Sequence, residues 1–281
     1  MAPRWTERRA AELFLTPRRQ SRPVPPPPEA AGIVSRPFVL EAAGLRLPVW
    51  SWGAGPLVLL AHGWQGSAAD MAQLAGAFAQ AGYRAVFLEL PGHGGGNRRT
   101  SLAEWTRALR ALAGLLGQPY AVVGHSMGAA AVALALEEGV EARGAVLLAP
   151  IVAPMAFAGR FMSFIGLPRE RLDGMTRELN RIVGRDVHRF DVRRVARGLR
   201  IPSLLVHDPG DAEAPYDEHA GEIAAAWSGC VVEAAPGLGH RGVLTDPGTI
   251  ARVVRFVDGL RRGGRRTVAV PAVSLATGTG E

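Results

Sequence analysis

The stretch Pro119-Tyr120-Ala121-Val122-Val123-Gly124-His125-Ser126-Met127-Gly128-Ala129-Ala130 decides how the rest of the chain is read. Four residues from Tyr120 to Val123 form a short apolar run, and an Ala-rich segment of helical composition follows Gly128. Between them stands Gly-His-Ser-Met-Gly, a G-x-S-x-G pentapeptide in the order strand, tight turn, helix. Such a turn holds a serine at the tip of a strained backbone, and the flanking glycines leave room for crossing chains. The pentapeptide alone is weak: with 35 Gly in 281 residues, chance supplies about 0.16 matches per chain of this composition. The surrounding pattern must carry the inference.

That pattern is alternation. Leu57–Ala61 is a continuous apolar run, as a parallel strand covered on both faces requires, and Met71, Leu74, Ala75 and Phe78 follow at helical spacing. A strand at Ala85–Leu90 leads to a helix bearing Leu102, Trp105, Leu109 and Leu112, with Ser101 and Glu104 spaced as a capping box. The helix after Ser126 runs to about Glu138, and Gly144–Ala149 is a further buried strand. Strands at Ser203–His207 and Cys230–Ala234 flank a helix at Glu218–Trp227. Asp246-Pro247 opens the last helix as N-cap and N1 proline. Upstream, Phe38–Gly44 and Leu45–Trp50 read as a hairpin turning near Gly44. The fold class is therefore α/β, a mostly parallel central sheet with helices on both faces.

Three segments lie outside the rhythm. Residues 1–35 form a basic and Pro-rich extension, with a short helix over Thr6–Leu15 and four prolines at 25–28 that favour extended chain lying outside the core or draped over it. The domain proper spans 36–262. Within it, 151–199 is a lid insertion with an aromatic, Met-rich helical piece (Met155 to Phe164) and an Arg-rich amphipathic one (Leu172 to Val183). Residues 263–281 read as a flexible tail.

Composition narrows function. The net charge of +7 and pI near 10.9 suggest nucleic acid or an anionic surface, but every basic side chain is Arg and no aromatic platform is interleaved with them. No nucleic-acid partner is expected. No run reaches the roughly 18 apolar residues of a transmembrane helix. Residues 1–22 lack the continuous apolar region of a signal peptide, so cytoplasmic residence is the expectation. The single cysteine, Cys230, permits no intramolecular disulfide and reads as a buried strand residue. No HExxH or clustered ligand spacing is present, so no metal and no cofactor are expected.

Parallel sheets place ligand sites at the carboxyl ends of their strands, and the polar residues gather there. Ser126 follows one strand, Asp208 and Asp211 a later one, and His240 the last. A serine hydroxyl becomes a nucleophile when an imidazole takes its proton and a carboxylate fixes that imidazole.

The order Ser, Asp, His is the order of the α/β-hydrolases, and residues 38–262 resemble a bacterial single-domain member of that family. HGWQG at 62 looks like its oxyanion loop, LELPGHGGG at 88 like its D-x-P-G-H-G turn with Glu89 where Asp is usual, and GHSMG at 124 like its elbow. HDPGDAEAP at 207 resembles its acid loop and GLGHRGVLTDP at 237 its histidine loop. The resemblance implies Ser126 as nucleophile, His240 as base and Asp211 as acid, with Asp208 the rival that caps the turn. It implies backbone N–H groups of Trp64 and Met127 as oxyanion donors. Trp64, Met127, Phe157 and Phe161 are the expected pocket side chains, facing a small-molecule apolar acyl or alkyl ester. His62 and His93 are read as scaffold in the turns and His125 as shaping the elbow, while His188, His207 and His219 carry no functional signal. The activity implied is ester hydrolysis through an acyl-enzyme. Acyl transfer on the same residues, or a ligand-binding protein that keeps the fold without catalysis, are the alternatives.

Overall fold

The computed structural model describes residues 5–18, 22–28, 35–42, 44–94 and 99–261; the segment read as a flexible tail lies outside them. An eight-stranded sheet has the order β1-β2-β4-β3-β5-β6-β7-β8. Its strands are β1 (Ser35–Ala42), β2 (Leu45–Trp52), β3 (Leu57–Ala61), β4 (Arg84–Leu88), β5 (Ala121–His125), β6 (Gly144–Leu148), β7 (Ser203–His207) and β8 (Cys230–Ala234). The hairpin β1–β2 pairs antiparallel with Ala42 opposite Leu45, and β2 runs antiparallel to β4. Every later pairing, from β4–β3 to β7–β8, is parallel.

The helices are α1 (Trp5–Phe14), α2 (Ala72–Gln80), α3 (Leu102–Leu116), α4 (Met127–Glu137), α5 (Ala158–Phe164), α6 (Leu172–Val183), α7 (Val192–Ala196), α8 (Ala220–Ala226), α9 (Gly239–Gly242) and α10 (Pro247–Gly259). The central strands are buried along their whole length because helices cover both faces, and the pleat divides their side chains between two cores. Leu57, Leu59, Ala61, Val86, Leu88 and Val122 face the layer containing α3, α4 and α8. Val58, Leu60, Ala85, Phe87, Ala121 and Val123 face the layer of α2 and α10. This is why the strands read as unbroken apolar runs and not as alternating ones.

Two local expectations meet a different outcome. Ser101 stands at the N-cap of α3 with extended backbone, yet its side chain makes no cap hydrogen bond; the start of α3 instead uses backbone bonds, Glu104 N–H and Trp105 N–H both donating to the Ser101 carbonyl. Cys230 is only partly buried, because β8 is the last strand of the sheet and its faces are incompletely covered. By contrast Asp246 caps α10 as expected, its carboxylate accepting from Thr249 N–H at 2.6 Å.

The Arg-rich stretch before β7 is pinned to the domain by acids. Arg194 forms paired contacts with Glu137, Arg185 meets Glu138 at 2.8 Å, and Arg193 reaches Asp191 and Glu222. Residues 151–199 hold α5, α6 and α7, and α1 lies against α6 with Ala10 and Ala11 fully buried. Helix α1 of the N-terminal segment thus packs against the body of the domain.

Candidate active site

β5 delivers the chain into a turn that only glycine permits at two positions. A Cβ at Gly124 would lie 2.5 Å from the Ala129 Cα and the Gly128 carbonyl oxygen, and one at Gly128 would lie 2.4 Å from the carbonyl oxygens of Ala61 and His62. Between them Ser126 takes φ 53° and ψ −119°, a strained conformation for a residue with a side chain. Strand, helix and neighbouring strand hold it there: Ser126 N–H donates to the Leu148 carbonyl at 2.9 Å, and its own carbonyl accepts from Ala129 N–H. The strain aims the hydroxyl out of the sheet at the start of α4.

Three side chains converge at that point. His240 Nε2 lies 2.8 Å from Ser126 Oγ, and His240 Nδ1 lies 2.7 Å from Asp211 Oδ2. All three are buried. The second carboxylate oxygen of Asp211 accepts N–H bonds from Glu213 and Ala214 at 2.9 and 3.0 Å, so the acid is oriented by its own loop. Asp208 does not reach the imidazole. Its oxygens accept from Gly210 N–H and Gly239 N–H, at 2.8 and 2.5 Å. It therefore ties the loop after β7 to the short helix α9 that carries His240. Burial opposes ionisation of Asp208, but N–H donors from Gly210, Gly239 and Gly237 outweigh it and hold the carboxyl below its ordinary range.

His125, His62 and His93 are scaffold of specific kinds, while His188 is exposed on the segment before α7. His125 is buried behind the elbow and its Nε2 donates to the His240 carbonyl at 2.8 Å. Burial first, and then the nearby His240, pushes its pKa down to about 3, so it is neutral. His62 accepts Leu90 N–H at Nε2 and donates from Nδ1 to the Gly63 carbonyl. His93 accepts Gln65 N–H at 3.2 Å; burial and the neighbouring His62 lower its pKa to about 4. Glu89 reaches the same loop, its carboxylate accepting Ala68 N–H at 3.2 Å, so the longer side chain in the Asp position bridges two turns. Trp105 donates to the Pro91 carbonyl and lies beside Trp64 and His93.

This cluster fixes the loop 62–66 beside the serine. A Cβ at Gly63 would stand 3.0 Å from the Ser126 Cβ, so the backbone leading into Trp64 runs against the elbow. Met127 opens α4, where its N–H has no intrahelical acceptor. The side chains of Trp64, Met127, Phe157 and Phe161 line one pocket of about 930 Å³ together with Ser126 and His240. All four expected pocket residues share that cavity.

Two histidines to which the sequence assigned no function also belong here. His207 is buried beneath Asp211, 3.5 Å from Oδ2, and its Nε2 donates to the Ala214 carbonyl at 2.8 Å. His219 accepts Val152 N–H and stacks on Phe157 at 5.2 Å, anchoring a pocket side chain. His207 opens the HDPGDAEAP acid-loop segment, which was the available clue; His219 stands on an unremarkable segment and had none.

Comparison with solved structures places this geometry among known folds. An esterase of Pyrococcus furiosus superposes with TM-score 0.65 at 18% identity, covering 87% of this chain and 98% of its own. A thioesterase domain from the curacin biosynthetic pathway matches with TM-score 0.58 at 19% identity, over 80% and 99% of the two chains. Est1E of Butyrivibrio proteoclasticus, solved with ferulic acid bound, matches with TM-score 0.59 at 17% identity, over 80% and 98%. At these identities the likeness is one of fold. No curated protein sequence matches the chain. The family model of the alpha/beta hydrolases does match, over residues 58–253, and with it the sheet order and the elbow agree: the chain belongs to the alpha/beta hydrolase family.

Proposed function

We propose that this protein is a serine hydrolase that cleaves a carboxylic ester, or a related acyl bond, through an acyl-enzyme. The observation that carries the reading is His240 standing between Ser126 Oγ at 2.8 Å and Asp211 Oδ2 at 2.7 Å. In the first half-reaction Ser126 Oγ attacks the acyl carbon as its proton passes to His240 Nε2. Asp211 holds the imidazole in the Nδ1–H tautomer and stabilises the imidazolium. The tetrahedral oxyanion meets the N–H groups of Met127 and Trp64. Collapse breaks the bond to the leaving oxygen, which takes the proton from His240. Water then attacks the acyl-serine, giving its proton to His240, and the second collapse returns that proton to Ser126 Oγ and releases the acid. Apolar side chains around the cavity suit an acyl or alkyl group as the small-molecule substrate.

The test is Ser126→Ala against a p-nitrophenyl ester panel, with fluorophosphonate labelling of the wild type. The serine variant should fold, lose labelling and lose at least about a thousandfold in turnover. Undiminished turnover in that variant would overturn the reading.

A further inference from the structure

Five residues at and just beyond the end of α1, Leu13, Phe14, Thr16, Pro17 and Arg18, line the same cavity as Ser126 and His240. They lie outside the residues matched by the family model, 58–253, so this wall of the pocket is supplied by the N-terminal segment that precedes the family match. Its attachment is specific. The small residues Ala10 and Ala11 let α1 approach closely, and on α6 Gly174 faces Glu7 so nearly that a Cβ there would lie 2.6 Å from Glu7 Cγ. Arg171 donates to Glu7 at 2.9 Å across this contact. At the other end the Leu15 carbonyl accepts Thr100 N–H at 2.8 Å, and Arg99 pairs with Glu12 at 3.0 Å. Thr16 Oγ1 donates to the Glu12 carbonyl, ending the helix. Although partial burial works against it, the guanidinium groups of Arg8, Arg9 and Arg99 keep the Glu12 carboxyl below its ordinary range.

The inner face of this strap is apolar and partly uncovered. Phe14 meets Phe161 edge to face at 5.1 Å. Leu13 and Phe164, both lining the cavity, stay 44% and 74% exposed. Large apolar side chains left open around one cavity mark a surface that a ligand covers. A cavity of about 930 Å³ stands near the upper end of the usual range for small-molecule sites, far more than an acetyl group fills.

We propose that α1 is the acyl-selecting wall of the pocket, with Phe14 the contact that favours long apolar acyl chains over short ones. This rests on the hydrolase reading above. A long chain reaches Phe14, Leu13 and Phe161 and transfers apolar surface out of water. A short one does not, so removing the wall penalises only the long substrate.

The experiment uses the full chain. Phe14→Ala should lower the ratio of kcat/KM for p-nitrophenyl dodecanoate over p-nitrophenyl butyrate about tenfold, with fluorophosphonate labelling retained. Leu13→Ala, whose side chain is already part exposed, should move the ratio in the same direction by a smaller factor and guards against a folding defect in the first variant. Trp5→Ala, at an exposed position of the same helix, should leave it unchanged. An unchanged ratio in folded Phe14→Ala and Leu13→Ala overturns the proposal. A binding arm separates this from failure of the catalytic reading: in a Ser126→Ala background, Phe14→Ala should weaken a dansyl-labelled fatty acid about tenfold. Unaltered affinity there overturns the wall whether or not the wild type turns over esters. Weakened affinity beside an unlabelled, inactive wild type upholds the wall and overturns only the hydrolase.

Discussion

Asp208 and Asp211 show how two carboxylates three residues apart receive different work. Asp211 shares one oxygen with His240 and gives the other to two N–H groups of its own turn, whereas Asp208 links two loops through Gly210 and Gly239. An amide at 211 offers the imidazole the wrong partner and strands the tautomer needed for proton transfer. Asp211→Asn should therefore lower kcat on a short ester about a thousandfold or more. Asp208→Asn loses a carboxylate acceptor facing Gly239 N–H and loosens α9, and should lower kcat only about tenfold. Steady-state kinetics of the two purified variants measures this, and equal losses would contradict the division of roles.

At the scale of elements the elbow is where sequence and structure agree most closely, because its constrained residues lie within one pentapeptide. Gly124 has to be glycine because a Cβ there would meet Gly128 and Ala129 of the same turn, whereas Gly128 has to be glycine because the turn packs on the end of β3. Gly128→Ala would drive a methyl group into the carbonyls of Ala61 and His62 and should destabilise the fold by about 3 kcal/mol. For a chain of this size that is a fall in Tm on the order of 10 °C, read by thermal melting. The strands were legible for a similar reason: helices on both faces leave unbroken apolar runs such as Leu57–Ala61. The capping of α3 was not, since the Ser-x-x-Glu spacing of Ser101 and Glu104 permits a side-chain cap without compelling it. Nor was the partial exposure of Cys230, which depends on β8 being the edge of the sheet, a property of the whole strand order. The docking of α1 on α6 escaped for the same reason: it is a long-range contact whose local sequence carries no periodic signature.

For the whole molecule, acid should act through the buried imidazoles. His125 and His93 have folded pKa values of about 3 and about 4, below the ordinary value near 6.5. The unfolded chain thus binds more protons between these limits, and stability rises with pH there. The neutral rings impose no penalty above about pH 6.5, and the stability is lost as pH falls towards the folded values. By pH 5 each ring should contribute a loss on the order of 2 kcal/mol. The carboxyl of Asp208, lowered by its N–H donors, adds to the same trend at still lower pH. Melting curves from pH 7.5 to 4.5 should show a steady fall in Tm. His93→Gln should flatten that dependence even where it lowers the plateau; a slope unchanged in this variant would remove His93 from the account.

The contact between Glu7 and Arg171 spans 164 positions of sequence. The layer of Ser126, Asp211 and His240 at the ends of β5, β7 and β8 is built from segments after α1, and during synthesis most of the chain must emerge before α1 meets its partner α6. Closing so long a loop is entropically costly and is rewarded only after α6 exists. The site should therefore assemble with one side open and acquire its final wall last. In native-state hydrogen exchange the amides of α1 should open at a lower free energy than those of β5 and α4, so the segment proposed to select the acyl chain is one that the folded protein can release while its central elbow stays closed.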